Sequence, residues 1–329
     1  MKQSADYQCV PGFRAAALPI FLLLFAFART AFPASPPQTF TDSDGDRYTV
    51  RLTGPGAAAV TLDDPDTDGK GPIASIALTG TDATSVLTVA VAKIGDGSVK
   101  IGAITGSAVN IISAPQCDLN GSGVALAGLS LLRIGDVAAG ANIVLPARPR
   151  VKPLTVSARN VGAMQLTVPS STLTFSARSV VGARISAAVI AACKVTAGDC
   201  AADITTPGRL VSLSVKGGDF TGHIIARSIG TLSFGRALRD STITARSIGT
   251  VLVAGDVVNS LVLAGANLGA DNALGGAGAN ADTFGAGSLG SVIVLGGMTN
   301  SFAGAGFTPV DGKFGLERHV RRRRTAARL

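Results

Sequence analysis

The hexapeptide Ala-Arg-Ser-Ile-Gly-Thr occurs twice, at 226–231 and 245–250, nineteen residues apart, inside HIIARSIGTLSF and TITARSIGTVLV. Both copies sit in short runs of β-branched residues. A period of roughly twenty residues is too short for a propeller blade, and it fits one coil of a stacked β-solenoid and its neighbour.

The repeat extends into columns. Taking Ala158, Ala177, Ala226, Ala245 and Ala264 as equivalent, the position two before each is Val156, Phe175, Ile224, Ile243 and Val262, always apolar. The residue between them varies, as an outward strand position should. Leu232, Val251 and Val292 make a second column, followed two residues on by Phe234, Val253 and Val294. The segment Leu131–Val137 resembles Val251–Val257, so the pattern reaches well upstream. No stretch carries a sustained helical period. The expected fold is therefore all-β, a right-handed parallel β-helix (β-solenoid).

Composition agrees: 41 Gly, no Trp and two Tyr suit a narrow core of small and β-branched residues with glycine at the bends. Ahead of the repeats, Tyr48, Val50 and Leu52 alternate with polar residues, and Gly54-Pro55-Gly56 turns the chain toward a second strand ending near Leu62. This predicts an acidic β-hairpin over 42–71 that caps the solenoid of 72–312, whose open end would otherwise expose unpaired edges. Two interruptions, 187–207 and 267–287, are expected to be loop insertions, where a solenoid commonly places its function.

The termini speak to location. Lys2 and Arg14 precede the apolar run Ala15 to Phe27, which predicts a signal peptide over 1–28, a Pro-rich linker over 29–41 and a secreted or cell-surface protein without a transmembrane anchor after cleavage. The formal charge of +8 is concentrated in a basic tail, 313–329, with seven Lys or Arg against Glu317. The body is nearly neutral, which disfavours a nucleic-acid partner. Cys193 and Cys200 are spaced to close a small disulfide loop in an oxidising compartment.

Four constellations carry candidate chemistry. Asp42, Asp44 and Asp46 alternate, as do Asp64, Asp66 and Asp68, and converging carboxylate oxygens are what calcium requires. Neither run continues as an EF-hand loop, and acidic turn residues are the competing reading. The glycines at 275–278 match one degenerate copy of a calcium-binding β-roll repeat, for which a Gly-rich loop is the simpler account. Arg159, Arg178, Arg227 and Arg246 share one repeat position, so they predict a basic ladder able to bind a polyanion. Repulsion between like charges in register argues the other way. Asp219, Asp240 and His223 are the residues an enzyme would use; with Trp absent the sugar-binding platforms of such enzymes are scarce.

FTDSDGDRYTVRLTGPG near the start, the ARSIGT and GDVVNS units, and GADNALGGAGANADTFGAGSLGSVIVLGG together resemble a group of secreted bacterial β-helix repeat proteins, over Phe40 to Gly315. The resemblance implies an exported parallel solenoid and carries no biochemical role onto particular residues. Members of the group tend to continue into further acidic repeats where this chain turns to LERHVRRRR. The functional expectation is a non-catalytic exported structural, surface or matrix solenoid, or a weak glycan or polyanion binder whose partners would be extracellular polysaccharide or cell-envelope components. The alternative is a carbohydrate-active β-helix enzyme, a polysaccharide lyase or hydrolase. Cofactors other than calcium are not indicated, and the oligomeric state is left open.

Overall fold

A computed structural model describes residues 35–146, 152–269 and 272–309. The expected signal peptide, the first part of the linker (29–34) and the basic tail lie outside the described residues, and the linker's last residues, Gln38–Thr41, are a strand. The described chain is a parallel β-solenoid of about eight turns, with no α-helix among the described residues and a single 3-10 turn at Gly278–Asn280.

Each coil lies on the last in parallel register, so equivalent residues stack at the spacing of neighbouring strands, ~4.8 Å. One apolar column runs Ile76, Ile104, Val124, Ile143, Leu166, Ile185, Ile204, Ile224, Ile243 and Val262. A second, across the core, runs Leu87, Ile112, Leu132, Val156, Phe175, Cys193, Leu213, Leu232, Val251 and Val292. A third follows one corner through Val161, Val180, Cys200, Phe220, Leu238 and Val257. In the regular stretches alternation puts about every second residue into this core.

The columns Leu232/Val251/Val292 and Phe234/Val253/Val294 stack as expected. The five-alanine alignment does not. Ala177 belongs with Val195, Val215, Phe234 and Val253, whereas Ala226 stacks on Thr206 and under Ala245 and Ala264. An apolar-x-apolar strand ends in Ala-Arg on two different faces of the coil, and the sequence pattern merges them.

The N-terminal strands are antiparallel, as expected of the cap, but their partners differ from the expected hairpin. They are β1 (Gln38–Thr41), β2 (Arg47–Thr53) and β3 (Ala57–Leu62), followed by β4 (Ile73–Thr79) and β5 (Val86–Ala92) of the first coil. β2 and β3 are not paired with each other: β2 runs antiparallel to β5 and β3 antiparallel to β4. The pair is an arch laid across the first coil, which covers the edges of both its faces and buries Tyr48, Val50 and Leu52. Gly56 makes the bend at φ +101°, where a Cβ would stand 2.6 Å from the Thr79 carbonyl oxygen.

Of the two expected insertions, only the second interrupts the coil. Residues 187–207 lie mostly in the strands Ser179–Val195 and Cys200–Val215, with a short turn between them. Pro207 is accommodated at a register irregularity between Thr206 and Arg209. The segment 265–287 is a true excursion: it leaves the corner after Ala264, carries the short antiparallel pair Ala266–Asn267 and Thr283–Phe284, and rejoins the stack at Ser288.

Candidate functional site

One corner of the solenoid is held by carboxylates that reach from coil to coil. Asp118 Oδ1 accepts the Asp136 N–H at 2.7 Å, Asp136 Oδ1 the Asn160 N–H at 3.0 Å and Asp199 Oδ1 the Asp219 N–H at 2.9 Å. Asp219 and Asp256 continue the pattern on Ala237 and Gly297. Arg159 spans two steps of this ladder, 2.8 Å from Asp118 and 3.3 Å from Asp136. Arg239 sits 2.8 Å from Asp219; burial pushes that carboxyl up, but this guanidinium and the Ala237 N–H outweigh it and hold it low. Arg178 follows Arg159 at the same corner, its N–H on the Arg159 carbonyl oxygen at 2.7 Å.

The four-arginine ladder is therefore two pairs at two corners. Arg159 is neutralised by aspartates whose position sequence reasoning missed, because they lie on neighbouring coils. Arg227 and Arg246 are a different case. They are exposed, stacked between the registered pairs Ala226/Ala245 and Ser228/Ser247. Arg209, also exposed, precedes Leu210 in the coil beneath and is registered with Ser228. None of the ion pairs among the described residues involves Arg209, Arg227 or Arg246.

The excursion 265–287 leaves from the coil next to Arg246 and forms a wall beside this corner. The resulting groove, about 630 Å³, is lined by Arg227 and Arg246 of the coils and by Asn267, Thr283 and Phe284 of the inserted strand pair. Ser228 and Ser247, next in the chain to the two arginines, line a second groove of about 650 Å³ together with Arg209. The Arg pair was legible in the repeat; Phe284 and Arg209 were not, since neither belongs to a repeated motif.

The aspartates near the N-terminus are organised around the cap. Asp42, Asp44 and Asp46 bring ligand oxygens within 4.8 Å of one another, a partly buried set able to hold a metal ion. Asp46 is fully buried and clamps the loop after β5: it accepts the Ile94, Gly95 and Gly97 N–H groups, each at 2.6 Å. Burial pushes its carboxyl up, but these three donors outweigh that and hold it low. Asp42 Oδ1 accepts the Asp44 and Asp46 N–H groups. Burial, then a hydrogen bond and charge repulsion from Asp44, raises Asp42 to about 6, and the same hydrogen bond lowers Asp44 to about 2.

The other acidic run serves a turn. Asp64 accepts the Asp68 and Gly69 N–H groups, and Asp68 pairs with Lys70 at 3.1 Å. Among the described residues Asp64, Asp66 and Asp68 form no metal-holding group.

Cys193 and Cys200 are free, buried thiols, so the expected disulfide is not formed. Each fills one step of a different apolar column, Cys193 between Phe175 and Leu213 and Cys200 between Val180 and Phe220. Burial raises Cys200 to about 12 and Cys193 well above its ordinary value. His223 stacks beside Thr242 on an outward face, with Nδ1 2.8 Å from Asp203 Oδ1. Asp240 lies in the left-handed region, bonded to Asn259. The residues an enzyme would use are thus engaged in coil-to-coil contacts.

No family model, curated protein or solved structure matches this chain.

Proposed function

We propose that this protein is an exported, non-catalytic solenoid that binds an anionic polymer at the corner formed by Arg209, Arg227 and Arg246. The observation that carries the reading is the stacking of Arg227 on Arg246 without a carboxylate partner among the described residues. Two guanidiniums held at strand spacing repel each other. An anion lying across the pair removes that repulsion and supplies bidentate acceptors. Export is supported by the N-terminal apolar run, and the surface or matrix role by the rigidity of a stacked β-core. Calcium at Asp42, Asp44 and Asp46 belongs to the same proposal as a structural ion that braces the cap, since three carboxylates suit a hard cation.

The test is binding of a panel of acidic and neutral polymers to the whole protein and to an R227Q/R246Q variant. Binding that weakens with salt and falls by about tenfold or more in the variant supports the reading. Equal binding by both proteins refutes it. The enzyme reading has one observation in its favour: Asp118 and Asp136 line a common groove of about 500 Å³. Arg159 lies across both, however, leaving neither free to act as acid and base. Release of reducing ends from any bound glycan would replace the non-catalytic proposal with a carbohydrate-active enzyme.

A further inference from the structure

We infer that two copies of this chain join end to end, C-terminal coil against C-terminal coil, in a closed two-fold dimer. The last described coil is made of the strands Ser288–Val294, Met298–Thr299 and Phe302–Ala305. Among the described residues each of these pairs on one side only, with the coil before it. The core is open there as well: Leu289, Val292, Val294, Ala303 and Ala305 are half-buried, whereas Ile248, Val251, Val253, Val262 and Ala264 beneath them are closed off from solvent. At the other end the arch of β2 and β3 covers the first coil. A sheet edge left in solvent is normally blunted by charge, by proline or by a covering segment. The strands of this coil carry neither charge nor proline. No charged residue lies between Asp282 and Asp311, the longest such run in the chain. Four of the eight large apolar side chains exposed among the described residues, Ile293, Leu295, Met298 and Phe307, are concentrated on this end.

The occupant has to meet three strands arranged around one coil. An extended peptide pairs with one of them, whereas a second coil end matches all three and supplies the roughly 20 residues a side that a specific interface uses. The register gives the fit. A two-fold axis through Ile293 sets the two Ser288–Val294 strands antiparallel, with Val292 opposite the other copy's Val294 and the two copies of Ile293 opposite each other. Residues directly opposite share a face. The valines, which stack on Val251 and Val253, would close the core column, and the paired isoleucines would leave solvent. Because the arch blocks the N-terminal end, head-to-tail growth is not open and the assembly closes at two copies. The chain after Pro309 is a poor rival for this edge: it bears seven Lys or Arg, whose charges would lose hydration against an uncharged apolar surface. The edge includes neither Arg227 nor Arg246, so dimerisation and anion binding can fail separately.

The experiment is sedimentation velocity of the whole protein at micromolar concentration, beside I293K, I293C and L252C, with far-UV circular dichroism recorded for each. The expected result is a dimer for the wild type and association weakened by about a hundredfold or more in I293K, where two lysines would face each other. I293C should cross-link through residue 293 on mild oxidation, since opposite Cα atoms of an antiparallel pair stand about 4.5–5.5 Å apart, within reach of a disulfide. Leu252 is registered with Ile293 one coil below, too far from its mate, so L252C should not cross-link. A monomeric wild type, a dimer that survives I293K, an assembly that grows past two copies, or equal cross-linking of I293C and L252C overturns the inference. A monomer whose peptide 288–305 is nonetheless protected from hydrogen exchange also overturns it and assigns the edge to the chain beyond Pro309.

Discussion

Replacing Asp42 with asparagine should remove a pH-dependent weakness from the N-terminal cap. In the folded protein Asp42 titrates at about 6 instead of 3.8, because it is buried and bonded to Asp44. A folded-state value above the unfolded one means that the folded state binds the proton more tightly. The stability this confers is complete below about 3.8, declines as pH rises and is gone above about 6. At 1.36 kcal/mol per pH unit the loss amounts to at most about 3 kcal/mol. Asp44, lowered to about 2, moves the other way: its contribution is present above 3.8 and lost only as pH falls toward 2. It is therefore constant across the window that matters. The amide introduced by D42N would keep an oxygen for the Asp44 and Asp46 N–H groups and present a donor to the Asp44 carboxylate, imitating protonated Asp42.

Repeat stacks seldom unfold in a single step, so the readout should be local. Hydrogen exchange of the peptide spanning 40–53 should give equal protection in D42N and wild type near pH 4, with the variant gaining as pH rises to 7. A difference that stays flat from pH 4 to 7, or a variant less protected at pH 7, would refute the assignment. Calcium extends the test. If the triad holds the ion in its ionised form, calcium at pH 7 should restore protection to the wild type and do little for D42N.

Two further outcomes follow from the stacking. Ser260 is fully buried and its Oγ accepts the Ser241 N–H at 3.2 Å while donating to Val258 at 2.8 Å; S260A should strand the Ser241 N–H and cost about 1–3 kcal/mol, seen as a lower urea midpoint, and an unchanged midpoint would refute that role. Cys193 and Cys200 should resist thiol reagents in the native protein and both label in urea without reductant, and a peptide linked through the two would contradict their separate columns.

Much of the fold was legible because a solenoid writes its core as columns. Ile224, Ile243 and Val262 declare themselves at a spacing of nineteen, and the GDV triplets at Asp136 and Asp256 mark one corner. What the pattern could not distinguish was one face from another, since every strand alternates with the same period of two. Val156-Ser-Ala-Arg159 and Ile224-Ile-Ala-Arg227 read alike, yet they stack in different columns. The chemistry at the corners was hidden for a different reason. Arg159 meets Asp118 across 41 positions of chain because coils, not neighbours in sequence, bring them together. Pro207 and the cysteines suggested a loop, but register shifts let a strand absorb the proline and the core absorb the thiols. Phe284 lay in a Gly-rich stretch with no repeat partner to compare it with.

The aspartate ladder carries a consequence for how such a chain can change over generations. Each carboxylate is fitted to an amide one full coil ahead, so deleting a single residue within a coil would misalign the ladder, the serine stack and every apolar column beyond it. Removing or duplicating a complete coil leaves all of those contacts with equivalent partners. Length variation should accordingly come in whole coils or as excursions that begin and end at one corner, as 265–287 does. The twin ARSIGT hexapeptides are what a copying of one such unit would leave behind.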